Sequence, residues 1–139
     1  MSWLIDTSAS SELSRPKPDR TVLRWFDTHN ELEMYFSALT LGELQKGVIR
    51  LALGQRRERL VDWFEDLAVR FEARILPVDL EVSRVWGEMV AQAEHRGQPL
   101  PVIDSLIAAT AIVHDLTVVT RNTRDFLRTG VKTEDPWRA

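Results

Sequence analysis

The stretch from Val102 to Phe126, VIDSLIAATAIVHDLTVVTRNTRDF, constrains the fold more than any other part of the chain. Ile103, Leu106, Ile107, Ala108, Ala109, Ala111, Ile112 and Val113 leave almost no polar face. A helix that is apolar nearly all round belongs in an interior. Leu116 to Val119 follow, short and rich in β-branched residues, the pattern of a strand covered on both faces. A buried helix feeding such a strand calls for a layered α/β fold with a parallel sheet. Two polar features interrupt this apolar stretch. Asp104 stands in the first turn of the helix, where free N–H groups and the dipole already favour a carboxylate. Thr120-Arg121-Asn122 leaves the strand at its carboxyl end, where α/β sheets bind ligands.

The rest of the chain supplies matching elements. Ser2 to Ile5 reads as a first central strand that stops at Asp6, and Asp6-Thr7-Ser8 opens a brief helix ended by Pro16 and Pro18. Asp19 is placed to cap a second helix bearing Val22, Leu23, Trp25 and Phe26. Met34 to Leu39 is expected to be a second strand, with a helix beginning at Thr40. Gln55 to Phe71 is expected to be helical after a break at Gly54. Arg74 to Val78 reads as a third strand. Val82, Val85, Trp86, Met89 and Ala93 mark an amphipathic helix ending near Gly97, and Val131 to Thr133 an edge strand. Strands alternating with crossovers too long for hairpins predict a three-layer α/β/α sandwich around a mainly parallel sheet, as one domain over 1–139.

Composition narrows the function. No cysteine is present, which excludes disulfides and thiolate metal sites and is compatible with a reducing compartment. No apolar run reaches the ~20 residues that cross a bilayer, and the start lacks a signal peptide's basic segment. A cytoplasmic protein with no membrane partner is expected. Formal net charge is -3, which argues against holding nucleic acid by bulk positive charge. The basic residues are mostly arginine, with only Lys17, Lys46 and Lys132 as lysines, a weak pointer to phosphate or carboxylate partners. His29, His95 and His114 lie near expected helix ends, and Trp25, Trp63 and Trp86 fall on apolar helix faces.

Three acids fall just past a strand end or in the first turn of the next helix: Asp6, Glu43 and Asp104. In a parallel sheet all strand carboxyl ends share one edge, so these positions can converge. Each also has a local explanation. Asp6 can cap a helix, and Glu43 can close a capping box with Thr40. Together they suggest a site, because clustered carboxylates repel and lose hydration unless a cation joins them. Oxygen-only ligands select a hard ion, Mg²⁺ or Mn²⁺.

At these residues the chain resembles the PIN-domain superfamily, and within it VapC-type toxins of a FitB-like subgroup. The resemblance rests on Leu4-Ile5-Asp6-Thr7-Ser8, Leu39-Thr40-Leu41-Gly42-Glu43-Leu44, Asp104-Ser105-Leu106-Ile107-Ala108-Ala109-Thr110-Ala111 and Thr120-Arg121-Asn122-Thr123-Arg124-Asp125-Phe126. It spans the full chain, including the Pro136-Trp137 ending. It implies a metal-dependent ribonuclease that leaves a 5′-phosphate and a 3′-hydroxyl, the toxin half of a type II toxin–antitoxin pair. It also implies a homodimer and a small cognate antitoxin, VapB-like, that binds promoter DNA. Carried over, Asp6, Glu43 and Asp104 form the acidic Mg²⁺ site, with Thr7 and Thr120 in support. Asn122 stands where many relatives have a fourth acid, and Asp125, one helical turn on, is the expected compensation.

Other α/β readings fit less well. A receiver domain wants an early acidic pair and a late lysine, a phosphatase wants a second aspartate at Ser8, and no glycine-rich turn supports a dinucleotide. The reading that competes is a PIN scaffold that binds antitoxin or nucleic acid with catalysis degraded at Asn122. The segments Leu41–Leu53 and Gln55–Phe71 are expected to leave a groove for an antitoxin helix, lined by Leu44, Val48, Leu51, Leu60, Trp63 and Leu67.

Overall fold

Alternation along three short strands divides the apolar side chains between two cores. The computed structural model describes residues 1–139. Strand β1 is Trp3–Ile5, β2 is Met34–Ser37 and β4 is Thr117–Val119. Successive strand side chains point to opposite faces. Trp3, Ile5, Met34, Phe36 and Val119 therefore enter one core, while Leu4 and Val118 enter the other. The first core is closed by Trp25, Leu41, Leu44, Leu67 and Phe71, which arrive on α2 (Arg20–Thr28), α3 (Ala38–Ile49) and the end of α4 (Gln55–Arg70). The second is closed by Ile107, Ala108 and Ala111 of α6 (Val102–Val113), by Phe126 of α7 (Thr123–Phe126) and by Met89 of α5 (Leu80–His95). The brief α1 (Thr7–Glu12) follows β1 directly.

All strand pairs are parallel, in the order β3-β2-β1-β4-β5, with β3 at Ile75–Leu76 and β5 at Thr133–Glu134. The expected three-layer α/β/α sandwich is the observed one. Buried Glu12 locks its first connection, accepting hydrogen bonds from the Asp19 N–H at 2.8 Å and from Arg15 at 3.2 Å. Asp19 in turn accepts from Thr21 and Val22 as the cap of α2.

Element boundaries differ from the sequence expectations at several points. The second strand stops at Ser37, not Leu39, because the Ser37 hydroxyl accepts the Leu39 N–H at 3.1 Å and starts α3 there. Strands β3 and β5 are short, the latter displaced towards Glu134. The helix α6 is not covered all round: Val102, Ile103 and Ile112 are exposed, because the sheet and α5 cover only part of its surface. The groove expected between the two middle helices is largely filled, since Leu44, Val48 and Leu67 are buried core residues. A cleft of about 410 Å³ lies between α2 and α4, lined by Leu23, Phe26, Trp63 and Leu67 with Asp27 and Asp66. Leu60 lines a neighbouring cleft with Leu13, Arg56 and Arg59.

Candidate active site

Asp6 ends β1 and is buried at the centre of the sheet, between the carboxyl ends of β2 and β4. Its place before α1 is that of a cap, yet its side chain makes no capping bond. Thr120, buried at the exit of β4, instead donates its hydroxyl to Asp6 Oδ2 at 2.8 Å. The Thr120 hydroxyl also accepts the Asn122 N–H at 3.0 Å, which turns the chain after the strand. Ser8 lies 3.3 Å from the same hydroxyl and accepts the Arg121 N–H at 3.2 Å. Ser8 is thus a member of the site whose role the motif spacing did not reveal.

Glu43 is held by Thr7, whose Oγ1 donates to Glu43 Oε1 at 2.5 Å. The capping box with Thr40 does not form. Because α3 starts at Ala38, Thr40 lies inside its first turn, fully buried with no partner for its hydroxyl. That early start places Glu43 within reach of Thr7.

Asp104 sits in the first turn of α6, after Pro101. Partial burial pushes its carboxyl up from 3.8 to about 6, and the charges of Asp6, Asp125 and Glu43 add to the effect. Asp6 is raised too, chiefly by burial, with Glu43 adding repulsion while the Thr120 hydroxyl opposes the shift. Four acids from four elements therefore share one electrostatic neighbourhood. Like charges repel, and no three of the acids gather at metal-ligand spacing. Asp125, exposed on α7, is coupled to Asp104 by charge. Asn122 is exposed at the start of α7 and makes no side-chain capping bond.

The donor set is wholly oxygen: carboxylates of Asp6, Glu43, Asp104 and Asp125, with the Asn122 amide nearby. Such a set suits a hard divalent cation, whose charge would favour the ionised forms that burial and mutual repulsion disfavour at Asp6 and Asp104. It offers nothing to a soft metal.

A parallel α/β/α sandwich with hydroxyl-tethered acids at its carboxyl edge defines the class, and the PIN domain family model matches residues 3–132. The chain belongs to the PIN-domain family. Among its relatives are the VapC ribonuclease Y4jK of Sinorhizobium fredii, 36% identical over 96% of both chains, and Toxin FitB of Neisseria gonorrhoeae. The latter is 36% identical over 96% of this chain and 97% of the relative. The crystal structure of FitAcB from Neisseria gonorrhoeae superposes with a TM-score of 0.92 at 36% identity, covering 98% of this chain and 99% of that one.

Proposed function

We propose that this chain is a Mg²⁺- or Mn²⁺-dependent endoribonuclease, the toxin component of a type II toxin–antitoxin system. The observation that carries the reading is the electrostatic convergence of Asp6, Glu43, Asp125 and Asp104, with the Asp104 carboxyl pushed up to about 6. Relatives named as a VapC ribonuclease and as a FitB toxin, similar over nearly the whole chain, support it.

Asp6, Glu43 and Asp104 would hold the cation, with Asp125 completing the negative charge that Asn122 does not supply. When bound, the ion would supply Lewis-acid polarisation of an RNA phosphodiester and a water of lowered pKa. The chain's own hydroxyls orient the acids. Thr120 donates to Asp6 Oδ2 and Thr7 donates to Glu43 Oε1, so one oxygen of each carboxylate is fixed by a hydroxyl. These tethers fix the rotamers before substrate arrives, which lowers the reorganisation needed during reaction.

The test is cleavage of RNA by the purified chain. Activity should require Mg²⁺ or Mn²⁺, vanish with EDTA and be lost in Asp6→Asn. Undiminished cleavage by metal-free protein would overturn the mechanism. A second reading, an inactive scaffold, is favoured by the neutral Asn122 and by the absence of three acids at ligand spacing. Absence of metal-dependent cleavage by a folded wild-type chain would favour it.

The proposed setting is cytoplasmic, and no helix is long and apolar enough to cross a membrane. A VapB-like antitoxin restrains the nuclease and carries promoter DNA contacts that this acidic chain is poorly charged to make. A homodimer is the proposed assembly.

A further inference from the structure

A cavity of about 450 Å³ lies between the Pro99–Pro101 loop and the turn that follows α7. That size falls within the ~300–1,000 Å³ of small-ligand clefts. Pro99, Leu100, Pro101 and Leu127 give it apolar walls, while Arg124 and Arg128 give it charge. Both arginines are exposed, and neither joins any ion pair of the chain. Arg121, the other cation of this segment, is already engaged over the Trp137 ring at 5.0 Å. Between the two free arginines stands Asp125, which lines the cavity and whose charge acts on Asp104. The cavity therefore adjoins the acidic centre.

We propose that this cavity is a nucleotide subsite, in which Arg124 and Arg128 hold a phosphate of single-stranded RNA next to the one being cut. Pro99, Leu100 and Leu127 carry the adjoining ribose or base. The assignment deepens the nuclease reading and rests on it. An acidic centre on a chain of net charge -3 repels a polyanion, so productive binding needs local cations beside the carboxylates. Guanidinium groups suit this because their planar forks pair two N–H groups with phosphate oxygens. The apolar walls favour a nucleotide over an acidic peptide side chain. A nucleotide brings a flat, weakly polar surface together with its anion, whereas an aspartate or glutamate brings only the anion.

The experiment uses the Asp6→Asn chain and a fluorescein-labelled, mixed-sequence single-stranded RNA oligonucleotide, with Kd measured across a salt series. Adding Arg124→Ala and Arg128→Ala should weaken binding about 10-fold and make the slope of log Kd against log salt shallower by about 0.7, the value for one lost phosphate neutralisation on a single strand. The Arg124→Lys, Arg128→Lys pair should keep the slope while losing part of the affinity. In the otherwise wild-type chain the alanine pair should raise KM more than it lowers kcat. Circular dichroism establishes folding, and Arg124→Gln with Arg128→Gln replaces the alanine pair if that pair unfolds.

Unchanged Kd and slope in a folded double variant, with wild-type cleavage intact, would overturn the subsite and leave the nuclease standing. A change of oligomeric state, or loss of antitoxin affinity with RNA binding untouched, would also overturn it by making the cavity a protein contact. A wild-type chain that neither binds nor cleaves RNA would remove both readings.

Discussion

Thr120 holds Asp6 Oδ2 with its hydroxyl, one of the bonds that orient this buried carboxylate. Thr120→Val keeps the shape of the side chain and removes the donor to a buried carboxylate. A lost bond of this kind costs about 1–3 kcal/mol, so kcat/KM should fall about 5- to 160-fold. Steady-state cleavage of a labelled RNA by the folded variant measures this, and wild-type rates would show the tether to be dispensable. Asp104 gives a second prediction at this scale. Its folded value, raised from 3.8 to about 6, means that the native state keeps a proton the unfolded chain has released between those values. The Asp104 contribution to native stability therefore falls as pH rises through that window, and its loss is complete above it. Urea midpoints between pH 4 and pH 7 should show the decline, and Asp104→Asn should reduce it, leaving the part from Asp6, which is raised in the same direction. Adding Mg²⁺ should raise the wild-type melting temperature more at pH 7 than at pH 5, because the ion binds the charged form. If the variant tracks the wild type across the window, another group causes the slope.

At the scale of elements, the start of α3 is the decision that matters most. Capping by Ser37 begins the helix early and puts Glu43 opposite Thr7 across the α1–α3 junction. The same helix turns Leu44 and Val48 into the core, so the middle helices do not form the groove that their apolar content suggests. Partly exposed apolar surface remains instead in the cleft between α2 and α4 and beside Leu60. An amphipathic antitoxin helix laid there is expected to bury its apolar face against Leu23, Phe26 and Trp63. Leu23→Glu and Leu60→Glu should each weaken antitoxin binding at least about 10-fold, as a charge brought into an apolar contact must be desolvated. Cleavage without antitoxin should stay at wild-type rate. Titration calorimetry with the cognate antitoxin provides the check, and unchanged affinity in both folded variants would place the partner elsewhere.

The whole molecule is acidic, and its charge separates two kinds of nucleic-acid contact. A substrate strand needs only a few cations near a metal-loaded centre, whereas duplex DNA is held through many phosphate contacts. With a net charge of -3, the chain alone should not retain its promoter duplex at ~0.15 M salt, where such contacts are screened. The complex with antitoxin should retain it. A gel-shift comparison of chain and complex tests this, and retention by the chain alone would contradict the division of labour.

Much of this architecture was legible in the order of residues. Short apolar runs ending at Asp6 and Thr120, separated by long helical patterns, pointed to a parallel α/β sandwich, because crossovers of that length cannot make hairpins. Parallel strands share a carboxyl edge, so the sequence alone marks Asp6, Glu43 and Asp104 as one candidate site. Local pattern went astray where two local explanations competed. Thr40 and Glu43 have capping-box spacing, but Ser37 took the cap. The helix α6 is apolar in sequence nearly all round, yet neighbours cover only part of it. The decisive contacts join residues far apart in the chain: Thr7 to Glu43 across 36 positions and Thr120 to Asp6 across 114. No periodicity encodes those pairs. They exist because β1 lies between β2 and β4, a strand order set by how two helical layers share the faces of one sheet.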